Sequence, residues 1–162
     1  MYHFAICDDL QEDRSLIRSM LADFAAERAQ PISCAEYASG EALMAGCIGS
    51  GVRFDLIFLD IYMDGMDGME VAHVLREAGV EAVLVFLTTT PDFAVQSYEV
   101  GALSYLLKPV APEKLVAVLD CFLALCRPRS VFLQGRLFLT GDIVSAESCN
   151  KTILLHFKTG TT

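Results

Sequence analysis

The sequence predicts an α/β protein built on an open, doubly wound sheet of five parallel strands with helices on both faces, plus a short C-terminal β extension. Three observations carry that expectation. Five apolar runs alternate with segments of helical period over residues 2–127. The runs are apolar almost throughout, as strands covered on both faces must be. Polar residues close four of them: Asp8 and Asp9 after the first, Asp60 after the third, Thr88 after the fourth and Lys108 after the fifth.

In order along the chain, Tyr2–Cys7 is a short apolar strand. Asp13–Arg28 follows as a helix with Leu16, Ile17, Met20, Leu21 and Phe24 on one face. Ile32–Tyr37 is strand-like, Ser39 is an N-cap with Glu41 in the first turn of a short helix, and Gly46–Gly51 breaks that helix. Phe54–Asp60 is a buried strand, Gly65–Gly68 a loop, and Met69–Ala78 a helix through Val71, Ala72 and Leu75, ended by Gly79. Ala82–Thr88 is the fourth strand. Pro91-Asp92 opens a helix to about Val100, Ala102–Leu107 is the fifth strand, and Pro112 starts a helix from Glu113 to about Arg127.

Composition narrows the classes. A chain of 162 residues with 54% hydrophobic content is long enough to bury a substantial core. No apolar run approaches the roughly 18 residues of a membrane span, and Met1-Tyr2-His3 leads straight into a strand, so a soluble, cytoplasmic protein is expected. Cys7, Cys34, Cys47, Cys121, Cys126 and Cys149 lack C-x-x-C spacing and read as reduced core thiols. His3, His73 and His156 share no ligand spacing, Gly49-Ser50-Gly51 is only a loop, and no phosphate-binding glycine motif occurs. Residues 1–127 hold 8 Lys+Arg against 19 Asp+Glu, a net of −11, whereas the remainder is +2. So acidic a body repels nucleic-acid phosphates.

In parallel sheets of this kind the site lies beyond the carboxyl ends of the strands, where Asp8, Asp9, Asp60, Thr88 and Lys108 are all expected. Three carboxylates on neighbouring strands repel one another unless a hard divalent cation sits among them, and Mg²⁺ favours a few carboxylates plus waters and phosphate. Phosphoryl transfer needs positioning and charge neutralisation, which a metal, a lysine and a hydroxyl would supply, and Asp60 is the candidate nucleophile. Singly, each residue has a plainer reading: Asp60 a solvated strand-end carboxylate, Lys108 its surface partner, Thr88 and Tyr105 ordinary strand residues.

Those segments, Ile6-Cys7-Asp8-Asp9, Leu59-Asp60-Ile61-Tyr62-Met63, Phe86-Leu87-Thr88 and Tyr105-Leu106-Leu107-Lys108-Pro109, resemble in order and spacing the receiver domain of two-component response regulators. The resemblance covers about residues 3–127 and implies a flavodoxin-like fold. It implies that Asp60 accepts a phosphoryl group from a sensor histidine kinase, and that Asp8, Asp9, Asp60 and the main-chain carbonyl of Tyr62 hold Mg²⁺ or Mn²⁺. By the same resemblance Thr88 and Lys108 contact phosphoryl oxygens, Thr88 and Tyr105 form the switch, Lys108-Pro109 is a cis bond, and activation favours a homodimer. Two positions depart from the pattern. Asp64 stands where proline is usual, and Thr89 where a small residue is usual; Thr89 with the bulky Tyr62 opposite would narrow access to the site.

After a 128–130 linker, Val131–Leu139 and Asp142–Phe157 read as short strands with turns at Gln134-Gly135 and Thr140-Gly141. Through Gly141-Asp142-Ile143-Val144, Ala146-Glu147 and Ile153-Leu154-Leu155 they resemble the opening of a LytTR-type DNA-binding domain. The expectation is therefore a receiver domain at 1–127 and a truncated output segment at 131–162. DNA binding would need a complete output domain, and no membrane contact is expected. Two other functions stay open: a metal-dependent phosphohydrolase with Asp60 as nucleophile, although Tyr62 occupies the place of that class's second aspartate, and a receiver-like interaction module that carries no phosphate.

Overall fold

A computed structural model of the chain describes residues 1–90, 100–126, 130–133, 136–139, 143–149 and 152–157, with side chains described through residue 126. The chain divides into two compact units, Met1–Phe122 and Leu123–Thr162. In the first, β1 (Tyr2–Cys7), β2 (Ile32–Tyr37), β3 (Leu56–Asp60), β4 (Val83–Thr88) and β5 (Ser104–Leu107) form a parallel sheet in the order β2-β1-β3-β4-β5. The helices are α1 (Gln11–Glu27), α2 (Gly40–Met44), α3 (Gly68–Glu77) and α4 (Pro112–Cys126). The helix expected from Pro91 to Val100 falls on residues 91–99, outside the described residues.

Strand alternation divides the core in two. Ala5, Cys7, Ile57, Leu59, Leu84 and Phe86 share a cluster with Leu43 of α2 and with Val71, Ala72 and Leu75 of α3. On the alternate positions, Phe4 meets Phe58 and the Phe122 ring of α4 edge-on, with centroids 6.4 and 5.3 Å away. The α1 residues Ile17, Leu21 and Phe24 are buried as their spacing requires. Cover on both faces is why β3 and most of β4 have no exposed position.

Several boundaries correct the sequence expectation. Helix α1 starts at Gln11, two residues early: its N-cap Leu10 offers no side-chain cap, and the entry is held by a local turn in which Asp8 Oδ1 accepts the Leu10 N–H at 2.9 Å. Leu16, expected on the core face, is 43% exposed and lines a small cavity with Asp13, Pro109 and Val110. Gly46–Gly51 does not break the second helix. The chain continues through a π-helical turn, Ala45–Gly49, and Gly46 is there for close approach, as a Cβ would lie 2.7 Å from the Tyr37 hydroxyl. Ser39 caps α2 as expected, its Oγ accepting the Ala42 N–H at 3.2 Å.

Among the cysteines whose side chains are described, Cys7 and Cys47 are core thiols, Cys34 is partly buried, and Cys121 and Cys126 are exposed on α4, whose apolar composition extends onto its solvent face. Burial, then the neighbouring Asp8 carboxylate, pushes the Cys7 thiol up to about 12. No helix among the described residues is long and apolar enough to cross a membrane.

In the second unit β6 (Ser130–Leu133) pairs antiparallel with β7 (Arg136–Leu139), and β8 (Ile143–Cys149) with β9 (Thr152–Phe157). A register irregularity falls between Ile143 and Ser145. Strand β6 begins at Ser130, inside the expected linker; residues 128–129 and both expected turns lie outside the described residues.

Candidate functional site

Register, more than local sequence, brings the polar strand ends together. Cys7 pairs with Leu59, so Asp8 lies beside Asp60 one step further on. Asp60 pairs with Leu87, and Thr88 with Leu107, which carries the line across to Lys108. Hydrogen bonds extend the ladder past the strands: Asp8 N–H to the Tyr37 carbonyl (3.1 Å), Ile61 N–H to that of Leu87 (3.0 Å) and Lys108 N–H to that of Thr88 (2.7 Å). Asp8, Asp60 and Thr88 thus start from strands paired on both sides, and Lys108 from the edge strand β5, held on one.

Among the described residues, Asp8, Asp9 and Asp60 each offer a carboxylate oxygen within 4.8 Å of the others. Asp8, Asp60 and Thr88 are buried, while Asp9 is partly open to solvent. The Lys108 Nζ donates to Asp8 Oδ2 at 2.6 Å and to Asp60 Oδ2 at 2.9 Å, and pairs with Asp13 Oδ2 at 2.8 Å. Burial alone would lower the Lys108 pKa, but its bonds to Asp13, Asp60 and Asp8 more than reverse this and raise it. Asp60 moves up as well: burial raises it, against the lowering effect of Lys108.

Such an arrangement suits a hard cation. The donor set is all carboxylate oxygen, one ammonium cannot neutralise three strand-end carboxylates, and Asp9 leaves a side open for water, the chemistry Mg²⁺ or Mn²⁺ prefers. Asp60 carries a testable sign. Its folded pKa is raised, so its ionisation costs stability, a cost that appears as pH rises through that folded pKa. Asp60→Asn is therefore expected to melt above wild type at pH 7 in EDTA, with the gap closing as pH falls toward 3.8. Calorimetric melting temperatures across pH check this; a variant that melts lower at pH 7 contradicts it.

Other sequence candidates lie nearby without joining the cluster. Tyr62 has an exposed side chain, its N–H donates to Asp60 Oδ1 at 3.3 Å, and its hydroxyl lies 3.3 Å from Thr90 Oγ1. The half-buried Tyr105 directs its hydroxyl to the Thr90 carbonyl. Thr88 Oγ1 accepts the Thr90 N–H at 3.3 Å, so Thr90 links the threonine to both tyrosines. Thr89 is exposed. The Lys108-Pro109 bond is cis. His3 and His73 stand apart from the site; His3 is engaged by Ser33 Oγ at 2.7 Å.

Sequence reasoning missed three contributors. Arg14 Nη1 donates to the Asp8 and Asp9 carbonyls at 2.6 and 3.1 Å and its guanidinium pairs with Glu36, clamping the turn that presents both carboxylates. A cation six residues after Asp8 inside an apolar-faced helix was its visible signal. The Asp64 N–H donates to Asp9 Oδ2 at 3.1 Å, a bond that proline at this position could not make. Asp13 on Lys108 left no signal in the sequence.

With this geometry in view, comparison with known proteins is direct. A family model described as the response regulator receiver domain matches residues 5–120. The sensory transduction protein LytT of Bacillus cereus is 39% identical over 67 residues, 41% of this chain and 27% of that protein. The chain thus matches about a quarter of that relative's length. Among solved structures, the chemotaxis protein CheY4 of Vibrio cholerae superposes with a TM-score of 0.64 and 26% identity, covering 75% of this chain and 98% of that one. The response regulator TrrA of Thermotoga maritima, solved in complex with Mg²⁺ and a beryllium fluoride, superposes at 0.63 with 22% identity over 75% of this chain and 99% of that one. A family match over most of the chain, on a fold shared with these solved structures, leads to one conclusion: the chain belongs to the response regulator receiver domain family.

Proposed function

We propose that the protein is a phosphorylation switch in which Asp60 accepts a phosphoryl group from a phosphohistidine of a sensor kinase. The observation that carries this reading is the buried Asp60 carboxylate at the centre of the strand-end cluster, with Lys108 Nζ 2.9 Å away and Asp8 and Asp9 beside it. An oxygen of Asp60 attacks phosphorus as the P–N bond of the donor, its ring protonated on the other nitrogen, breaks; the bonding pair stays with nitrogen, leaving an acyl phosphate and a neutral imidazole. Lys108 donates to a phosphoryl oxygen, and the Thr88 hydroxyl offers a second donor from the neighbouring strand end. Arg14 keeps the Asp8–Asp9 turn in place throughout.

Asp8, Asp9 and Asp60, with the main-chain carbonyl of Tyr62, would hold Mg²⁺ or Mn²⁺, which would offset carboxylate and phosphoryl charge. The beryllium fluoride complex of TrrA supports carrying that chemistry over, as does the all-oxygen donor set. Thr88 and Tyr105 would transmit the change through Thr90, which both contact, towards the β5 edge, where a second phosphorylated copy would pair. The likeness to LytT supports transcription regulation as the output, exerted by a full LytTR-type domain to which residues 131–162 would contribute the first strands. A receiver domain at 1–127 and an output segment from 131 onward would divide the labour, and this chain would not itself read DNA.

Incubation with acetyl phosphate and Mg²⁺, followed by intact mass, tests the reading. One alkali-labile phosphoryl adduct is expected on wild type and none on Asp60→Ala. Equal labelling of the variant would move the acceptor elsewhere. Steady release of free phosphate over many turnovers would make the protein a hydrolase, and neither adduct nor release would leave only an interaction module.

A further inference from the structure

The Lys108 Nζ has three N–H bonds and three carboxylate acceptors: Asp8 at 2.6 Å, Asp13 at 2.8 Å and Asp60 at 2.9 Å. Its hydrogen-bonding capacity is full, so a phosphoryl oxygen can gain a bond from it only if one of the three lets go. Asp8 is poorly placed to yield. It is fully buried, and its second oxygen is held by the Leu10 N–H at 2.9 Å. Asp60 is bound to the reacting centre itself, with its second oxygen held by the Tyr62 N–H.

Asp13 differs in each respect. It stands in the first turn of α1, its side chain is 33% exposed, and its carboxylate makes no other hydrogen bond or ion pair among the described residues. Water lies within reach of its carboxylate when the lysine turns away, so release costs it little solvation. Nor does it belong to the three carboxylates that converge as a cation site. It faces the lysine beside Leu16, Pro109 and Val110.

We propose that Asp13 is a positioning residue that holds Lys108 in the resting protein and competes with the phosphoryl group for it. Because this rests on the phosphoacceptor reading of Asp60, the latch and that reading are tested separately. The competition has a direction: Asp13 leaves the lysine less available and adds a negative charge near the place where the phosphoryl oxygens would sit. Neutralising it makes binding of a phosphoryl mimic tighter. The effect on a cation runs the other way, because a lysine freed from Asp13 pairs more fully with Asp8 and Asp60, and one attractive charge is gone.

Beryllofluoride binding by the full chain, followed by ¹⁹F NMR at saturating Mg²⁺, reads the first effect, and Mg²⁺ titration calorimetry without fluoride reads the second. For Asp13→Asn the half-saturating beryllofluoride concentration is expected to fall roughly 5-fold, with Mg²⁺ affinity unchanged or weaker; Asp13→Glu should return both towards wild type. A merely structural role would move both affinities in the same direction. Unchanged or weaker beryllofluoride binding by a folded Asp13→Asn overturns the proposal. Metal-free thermal unfolding of Asp13→Asn, Lys108→Gln and the double variant reads the contact by itself, and absence of coupling overturns the latch whatever the fluoride data show. A wild type that couples in that cycle yet neither binds beryllofluoride nor accepts phosphate overturns the phosphoacceptor reading and the competition with it, leaving only an ion pair.

Discussion

Lys108→Met is expected to lower the stability of the metal-free protein by about 3–5 kcal/mol, the usual cost of removing one partner from a buried charge network. Lys108 is 11% exposed at its side chain, Asp8 0% and Asp60 5%, so solvent screens these pairs weakly; Asp13, a third exposed, adds little. Without the ammonium, Asp8 and Asp60 face each other with no cation between them, and Asp60, already raised by burial, loses the lysine that opposes that rise. The sign follows for Asp60: the deficit is smallest in acid, where its carboxyl is protonated, and grows as pH rises through its folded pKa. Urea unfolding at pH 4 and pH 7, each with and without Mg²⁺, checks this. Mg²⁺ should raise the stability of the variant more than that of wild type, since it then replaces the ammonium lost from between Asp8 and Asp60. A variant as stable as wild type at pH 7 in EDTA would mean that the lysine does not neutralise the strand ends.

Gly68→Ala is the second large effect. A Cβ at Gly68 would sit 2.0 Å from the Asp60 carbonyl oxygen, 2.9 Å from its carbonyl carbon and 2.9 Å from the Ile61 Cα, all of them backbone. No side chain can rotate away. Either α3 lifts, breaking the 2.9 Å bond from the Gly68 N–H to the Ile61 carbonyl, or the peptide carrying Asp60 shifts. The loss should be at least about 2–3 kcal/mol, at the severe end of overpacking because only backbone can yield. Labelling by acetyl phosphate should fall with it, since a displaced Asp60 loses its alignment with Lys108. Gly49→Ala is the control: nothing lies within 4 Å of its Cβ and its φ is not left-handed, so a change within about 0.5 kcal/mol is expected. Equal denaturation midpoints for the two variants would remove the close approach as an explanation.

Much of this protein is legible in its sequence for a specific physical reason. Near-continuous apolar runs such as Leu56–Leu59 and Leu84–Leu87 can be strands only if both faces are covered, and that dictates helices on both sides of a parallel sheet. Once such a sheet is granted, polar residues closing its strands fall along one edge, so Asp8, Asp60, Thr88 and Lys108 could be placed together before any coordinate was known. Local capping chemistry was equally readable at Ser39, and the stop at Gly79, whose φ is +75°, follows from glycine's freedom in that region.

Tertiary structure decided what depends on contacts between distant segments. Helix α1 starts at Gln11, where the carboxylate that accepts the Leu10 N–H, Asp8, is itself held by Lys108 one hundred residues away. Leu16 has the period of a core residue but lies beside Pro109 and Val110, more than 90 residues away in sequence. The same distance hid the link from Asp13 to Lys108, whereas the Arg14 clamp on the carbonyls of Asp8 and Asp9 is close in sequence and depends on how the turn folds back on α1. Hydrophobic period specifies which face of an element is covered, because burial is non-directional and sums over many residues. Which oxygen meets which nitrogen is a matter of a few tenths of an ångström, and only the packed sheet, its register and its loops determine that.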